Sequence, residues 1–146
     1  VTSAALARPD VTKKEYQMTD VRPRYQLVGL DCPDPVALAT FYSRLTGLDV
    51  EPLGDFKPDE VEWIELDNGE HPTIAFQKVP NYVAPTWPTG AIPQQLHLDF
   101  LVPDLDEGEQ HALAAGATKH EYQPGTTFRV YLDPVGHPFC LVLSND

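Results

Sequence analysis

The sequence predicts an α+β domain made of two successive βαβββ modules. Three observations carry this. A segment occurs twice, as Leu30-Asp31-Cys32-Pro33-Asp34-Pro35 and Phe100-Leu101-Val102-Pro103-Asp104-Leu105, each followed by a helical run that ends at a glycine, Gly47 or Gly116. Each copy then reaches a Leu-Asp pair and a turn glycine, Leu66-Asp67-Asn68-Gly69 and Leu132-Asp133-Pro134-Val135-Gly136. The Pro-Asp pairs stand 70 residues apart and the Leu-Asp pairs 66. Size is the third: 146 residues suit one domain, whereas halves of about 65 residues are marginal alone. The copies are therefore expected to pack together and to leave a ligand cleft between them.

In the first module Val28, Leu30 and Cys32 alternate with Leu27, Gly29 and Asp31, which predicts a strand. Asp34 is an N-cap and Pro35 suits the first helical position. Val36, Leu38, Ala39, Phe41, Tyr42 and Leu45 keep helical spacing, and Gly47 fits the C′ position. Residues 48–53, 61–66 and 73–79 read as three more strands, with Asp67-Asn68-Gly69 turning between the last two. The second module repeats the order: a strand over 95–102, a helix from the Asp104 cap to about Ala115, and strands over 117–121, 128–132 and 139–143.

These elements divide the chain into an N-terminal extension over 1–23 and a domain over 24–146. Within the domain, module one spans 24–79, a linker 80–93 and module two 94–146. Residues 1–20 are polar and weakly patterned and read as an extension that docks on the body. The linker holds Pro80, Pro85, Pro88 and Pro93 among the chain's 15 prolines. With 42% apolar residues, the prolines punctuate elements rather than mark disorder.

The net charge of −12 argues against nucleic acid and anionic membrane surfaces, both of which repel it. Cys32 and Cys140 lie far apart in apolar runs and read as buried free thiols, not as a disulfide framework. No apolar run nears the ~20 residues of a membrane span, and the N-terminal residues show no charged-then-apolar signal pattern. A cytoplasmic protein is the expectation.

This order of elements resembles the vicinal oxygen chelate superfamily, above all its glyoxalase-like, bleomycin-resistance-like branch. The residues that match are Leu30 to Pro35, Phe41-Tyr42 with Leu45 and Gly47, His97-Leu98-Asp99-Phe100, Asp104-Leu105, Leu113 through Gly116-Ala117, and Leu132 through Phe139. The resemblance covers about residues 24–144. It implies two βαβββ modules with curled mixed sheets around a cleft and the helices outside. It also implies, in many members, one divalent metal held by up to four strand residues.

Carried across, that metal set falls on Leu27, Gln77, His97 and Cys140. Leucine cannot ligate and glutamine suits a borderline metal poorly, while a catalytic centre usually needs three protein ligands. The expectation is a cleft without a cofactor. The alternative keeps Zn, Ni, Fe or Mn on His97 with Cys140 and Gln77, polarising a substrate oxygen.

Strand alternation selects the remaining candidates. Leu96, Leu98, Phe100 and Val102 are expected to meet the helix, leaving Gln95, His97 and Asp99 toward the cleft. His97 is the candidate catalytic residue, by hydrogen bonding or by proton transfer tuned by Asp99. If Leu66 and Leu132 are equivalent and face the helices, then Trp63, Glu65, Arg129 and Tyr131 face inward. Trp63 and Tyr131 would stack on a planar ligand or simply fill the cup, and Arg129 would pair with a ligand carboxylate or with Glu65. The aromatic segment 81–88 reads as a packed linker in preference to a flap.

Two functions follow. One is a small-molecule binder that uses an aromatic cleft with His97, Asp99 and Arg129. The other is a metal-dependent lyase, isomerase or dioxygenase centred on His97. A partner-binding module with a vestigial cleft is a weaker third. The superfamily also swaps modules across homodimers, so one-chain and two-chain clefts both stay open.

Overall fold

The computed structural model describes residues 21–145 apart from 68 and 71; most of the predicted extension lies outside the described residues. Module one runs β1 (Leu27–Cys32), α1 (Pro35–Thr46), β2 (Asp49–Val50), a 3-10 turn (Pro58–Glu60), β3 (Trp63–Asp67) and β4 (Thr73–Lys78). Module two runs β5 (Leu98–Val102), α2 (Leu105–Ala115), β6 (Thr118–Lys119), β7 (Phe128–Leu132) and β8 (Pro138–Leu143). Each forms an open four-stranded mixed sheet, in order β1-β4-β3-β2 and β5-β8-β7-β6. The first and last strands of each module pair in parallel and the other pairs are antiparallel. The predicted α+β class and its two modules are the architecture observed.

The helix boundaries follow the capping chemistry. The Asp34 carboxylate accepts from Ala37 N at 3.2 Å and Asp104 from Glu107 N at 2.8 Å, which satisfies amides that a helix start leaves unpaired. Gly47 ends α1 at φ 78°, a left-handed conformation that costs glycine little. Strands β2 and β6 are two residues each, much shorter than the 48–53 and 117–121 runs that alternation suggested. Each lies at the outer edge of its sheet, where little neighbouring structure prolongs the pairing.

The two helices differ in how much they bury. α1 buries Leu38, Ala39, Phe41 and Tyr42, whereas α2 buries only Ala112. The α1 aromatics reach both sheets. Tyr42 stacks on Phe76 of β4 at 5.5 Å, and it meets Phe100 of β5 and Phe139 of β8 at 6.3 Å each. Phe41 lies 6.0 Å from Phe139. One continuous core thus joins the modules. Polar contacts reinforce the seam: Tyr42 Oη donates to Asp133 Oδ2 at 2.8 Å, and His137 Nε2 lies 2.6 Å from the Asp31 carbonyl. Asp133 is only 3% exposed, and its Oδ1 also accepts from Val135 N and His137 N. Among the described residues no helix is long and apolar enough to cross a membrane.

Strand register corrects one step of the sequence reading. In the ladders Gly29 stands beside Ala75, and Asp99 beside Cys140. The modules are 70 residues apart at Gly29 and Asp99 but 65 apart at Ala75 and Cys140. Glu65 pairs with Ala75 and Val130 with Cys140, so Leu66 corresponds to Tyr131 and not to Leu132. The repeated Leu-Asp pairs are one residue out of structural step. A one-residue slip moves every side chain of a strand to the opposite face.

Tyr42→Phe should cost about 1–3 kcal/mol, because it leaves the buried Asp133 oxygen short of a donor; urea denaturation reads this directly. Burial holds the Asp133 carboxyl above its ordinary value of 3.8, so the folded state keeps that proton more readily than the unfolded state. The associated stability is fully present below the ordinary value and is lost as pH rises through the higher folded value. Across that interval the stability of wild type relative to Asp133→Asn should therefore fall. A gap that stays constant with pH would contradict the assignment.

Candidate functional site

Each sheet has one face against the helices and one face open. On the module-one sheet the open face carries Gly29, Asp31, Glu65, Trp63, Ala75 and Gln77, set by the pairings Gly29–Ala75–Glu65 and Asp31–Gln77–Trp63. Trp63 stays 42% exposed. Its indole starts on β3 and its far edge comes within 3.6 Å of where a Cβ on Gly29 would sit. Since β4 lies between β1 and β3, the ring crosses Ala75, and this explains why Ala75 is fully buried on an otherwise open face. Trp63 Nε1 donates to Glu65 Oε2 at 3.1 Å. Trp63 and Glu65 thus lie on the face that alternation selects, but neither lines the cavity formed by β1, the linker and the start of β5.

On the module-two sheet the open face carries Asp99 and Cys140, and His97 sits beside them in the segment that leads into β5. Asp99 pairs with Cys140 across the β5–β8 ladder, and His97 lies two residues before Asp99, just outside the start of β5. His97 Nε2 and Asp99 Oδ1 are 3.2 Å apart, so the two groups, which strand alternation merely brings near each other, are in contact. One ligating atom from each of His97, Asp99 and Cys140 lies within 4.8 Å of the others. Burial pushes the Cys140 thiol up to about 11, and the Asp99 carboxylate adds to the shift. Cys32 is likewise pushed up to about 11, chiefly by burial. Both cysteines are free and buried, as the sequence suggests.

Arg129 and Tyr131 do not face the cleft. The register slip turns both toward α2. Arg129 Nη2 pairs with Asp106 Oδ1 at 2.8 Å, and Nη1 lies 3.5 Å from Glu109 Oε1. Tyr131 is fully buried, stacks on Phe139 at 5.6 Å and donates to Glu109 Oε1 at 3.1 Å. Glu109 also receives Lys119 Nζ at 2.9 Å, and that hydrogen bond is the main reason its carboxyl is held low. These groups pin α2 to its sheet. The residues on β7 that share the Cys140 side are Phe128, Val130 and Leu132.

A cavity of about 420 Å³ lies where β1, the linker and the start of β5 meet. Its wall includes Gly29 and Asp31 from module one, Tyr82 and Ile92 from the linker, and His97 and His137 from module two. Of the residues that alternation turns toward the cleft, Gln95 and His97 line it, and so does Leu96, expected against the helix, because strand alternation begins only at Leu98. The linker is packed, as expected: Tyr82 Oη donates to Val135 O at 2.9 Å, and Trp87 meets His120 at 4.9 Å. It also forms part of the cavity wall, a role that the packed-linker reading did not include. His137 was legible only as a turn residue. Its placement depends on the buried Asp133, whose carboxylate fixes the turn from both Val135 N and His137 N.

The four-strand metal set does not survive the register. The module-one partner of Cys140 is Ala75, not Gln77, and the partner of His97 is Leu27. Neither alanine nor leucine can ligate. The donor set brought together among the described residues is His97, Asp99 and Cys140, with Asp99 and Cys140 on one sheet and His97 at the entry to β5.

A pair of βαβββ modules with a cavity between them and a polar cluster on one open sheet defines a glyoxalase-like scaffold. The family model for the glyoxalase-like domain matches residues 27–142, and the chain belongs to that family, within the vicinal oxygen chelate superfamily. Solved structures share the fold. A glyoxalase/bleomycin resistance protein/dioxygenase family enzyme from Burkholderia phytofirmans PsJN matches with TM-score 0.57 and 21% identity, covering 81% of this chain and 96% of that one. The fosfomycin resistance protein FosX from Mesorhizobium loti matches with TM-score 0.58 and 12% identity, covering 84% and 91%. TioX from Micromonospora sp. ML1 matches with TM-score 0.54 and 20% identity, covering 83% and 98%. At these identities the likeness is one of fold. Among curated proteins no relative matches the sequence.

Arg129→Ala should lower stability by about 1 kcal/mol or less, as exposed ion pairs do, and should leave any cleft ligand's affinity unchanged. A tenfold loss of affinity in that variant would restore Arg129 to the cleft. Both thiols should alkylate slowly at neutral pH in the native protein and rapidly in urea, because reaction needs the accessible thiolate. Mass spectrometry after timed iodoacetamide exposure checks this residue by residue.

Proposed function

We propose that the chain is a small-molecule-binding protein of the glyoxalase/bleomycin-resistance-like kind. Its ligand would occupy the cavity between the modules. The observation that supports this most is the cavity's construction. It is about 420 Å³, within the range of small-ligand sites, and it is assembled from both modules and the linker rather than from a surface dimple of one element.

Its wall combines apolar side chains such as Ile92 and Val83 with a few polar groups, among them His97, His137 and the Tyr82 hydroxyl. An apolar wall supplies affinity through burial, and sparse polar groups fix orientation. His97 and Asp99 are the pair best placed to hydrogen-bond or exchange a proton with a bound molecule at the cavity edge. Trp63 and Glu65 stand on the neighbouring open face and would widen the contact surface for a ligand that extends beyond the cavity.

A thermal-shift screen of small aromatic and acidic compounds, run with a chelator present, tests the reading. A hit should lose about tenfold or more in affinity in His97→Ala, roughly 1.4 kcal/mol. Gly29→Leu, which places a side chain in the cavity wall beside the Trp63 ring, should abolish binding while circular dichroism stays native. A hit that binds both variants as tightly as wild type would place the ligand elsewhere.

A further inference from the structure

We infer that the cavity between the modules selects a ligand rich in hydrogen-bond donors, an organic amine in its ammonium form, over a carboxylate or a phosphate. This rests on the cavity being the ligand site and adds the chemical class of what enters it. The hydrogen-bonding character of the wall carries the inference: its donors are spent inside the protein and its acceptors are left over.

Pro80, Pro85, Pro93 and Pro138 all line the cavity, and a proline has no N–H to offer. Tyr82 Oη donates to Val135 O at 2.9 Å. His137 Nε2 stands 2.6 Å from the Asp31 carbonyl. A carbonyl only accepts, so that nitrogen carries the proton and the neutral ring keeps Nδ1 as an acceptor. His97 Nε2 faces Asp99 Oδ1 at 3.2 Å, and the carboxylate sets the same tautomer. Gln95 Nε2 donates to Pro93 O, which leaves its Oε1. Gln94 also lines the cavity, and its Oε1 is buried with no hydrogen-bond partner among the described residues. An unpaired buried acceptor costs free energy, and a donor on a ligand that reaches it recovers that cost.

The charges favour the same ligand. Asp31 is the one lining side chain with a fixed charge, and no lysine or arginine among the described residues joins it in the wall. Arg129, the cation that the sequence offered to the cleft, is held at α2 by Asp106 and Glu109. The Tyr82 phenol is pushed up to about 12, chiefly by burial, with the Asp133 and Asp31 charges adding to the shift, as befits a wall of negative sign. A carboxylate in the cavity would bring more lone pairs to Asp31 with no cation to offset them. An ammonium brings three donors and the opposite charge. The net charge of −12 adds a longer-range attraction that salt screens.

Isothermal titration calorimetry of the full chain, with chelator present, tests this with naphthylmethylamine, naphthylmethanol and naphthoate, which share one ring system and differ in the polar group. The amine should bind about tenfold tighter than the alcohol, and the naphthoate should be the weakest of the three. Asp31→Asn should cut the amine's affinity about tenfold and change the alcohol's by about twofold or less. Gln94→Leu should weaken both. Asp55→Asn alters the net charge equally from outside the cavity wall and should leave all three affinities unchanged, which separates the site from general attraction to an acidic protein. Circular dichroism confirms that each variant is folded. Naphthoate binding as tightly as the amine, or amine affinity that survives Asp31→Asn, would overturn the inference; the cavity reading then stands if Gly29→Leu still abolishes binding. Failure of all three compounds to bind wild type overturns the inference as well, and the wider thermal-shift screen then decides whether the cavity takes a ligand at all.

Discussion

Tyr42 is the side chain on which the two halves depend. It rises from α1, stacks on Phe76 of its own module and meets Phe100 and Phe139 of the other. Its hydroxyl then donates to Asp133, a buried carboxylate that would otherwise lack its closest side-chain partner. Burial and the neighbouring Asp133 charge raise the Tyr42 phenol well above its ordinary value, so it stays a donor. An aromatic body fills the seam while its polar tip satisfies a buried charge. Asp133 in turn orders the turn that carries His137, and His137 touches the Asp31 carbonyl across the module boundary. The cavity wall inherits its shape from that chain of contacts.

The duplication produces a fold with near two-fold repetition but a site without it. α1 is a central helix and α2 a peripheral one, and their sequences show why. The first has Leu38, Ala39, Phe41 and Tyr42 on its buried side, while the second is acidic and buries a single alanine. α2 is consequently fixed by ion pairs and a tyrosine hydroxyl rather than by a broad apolar stripe. The open faces diverge as well. Small residues on module one, Gly29 and Ala75, admit a tryptophan laid flat across the sheet. At the corresponding positions module two carries Asp99 and Cys140, which with His97 make a polar, ligating patch.

Much of this was legible in the chain. Period-two alternation with capping aspartates located β1, α1 and α2 closely, because these signals depend on local backbone chemistry, whereas the strand expected over 95–102 begins only at Leu98. The placements of Asp99, Trp63 and Glu65 followed from alternation within single strands, while His97 reaches the cavity from just outside β5. Arg129 and Tyr131 were misplaced because their face was inferred by matching one Leu-Asp pair to another across modules. That match is a coincidence of residue type, offset by one from the true register.

The sequence by itself determined the class of fold, the two modules, the free buried thiols and the face of each strand whose register needs no partner. Hydrophobic periodicity and helix caps are properties of a few consecutive residues, so they can be read without the fold. Tertiary structure alone decided that Ala75 and not Gln77 answers Cys140, that Arg129 and Tyr131 clamp α2, and that the linker and His137 wall the cavity. These depend on which strand lies beside which and in what step. A pairing of residues 41 positions apart, such as Asp99 with Cys140, leaves no local trace in the chain.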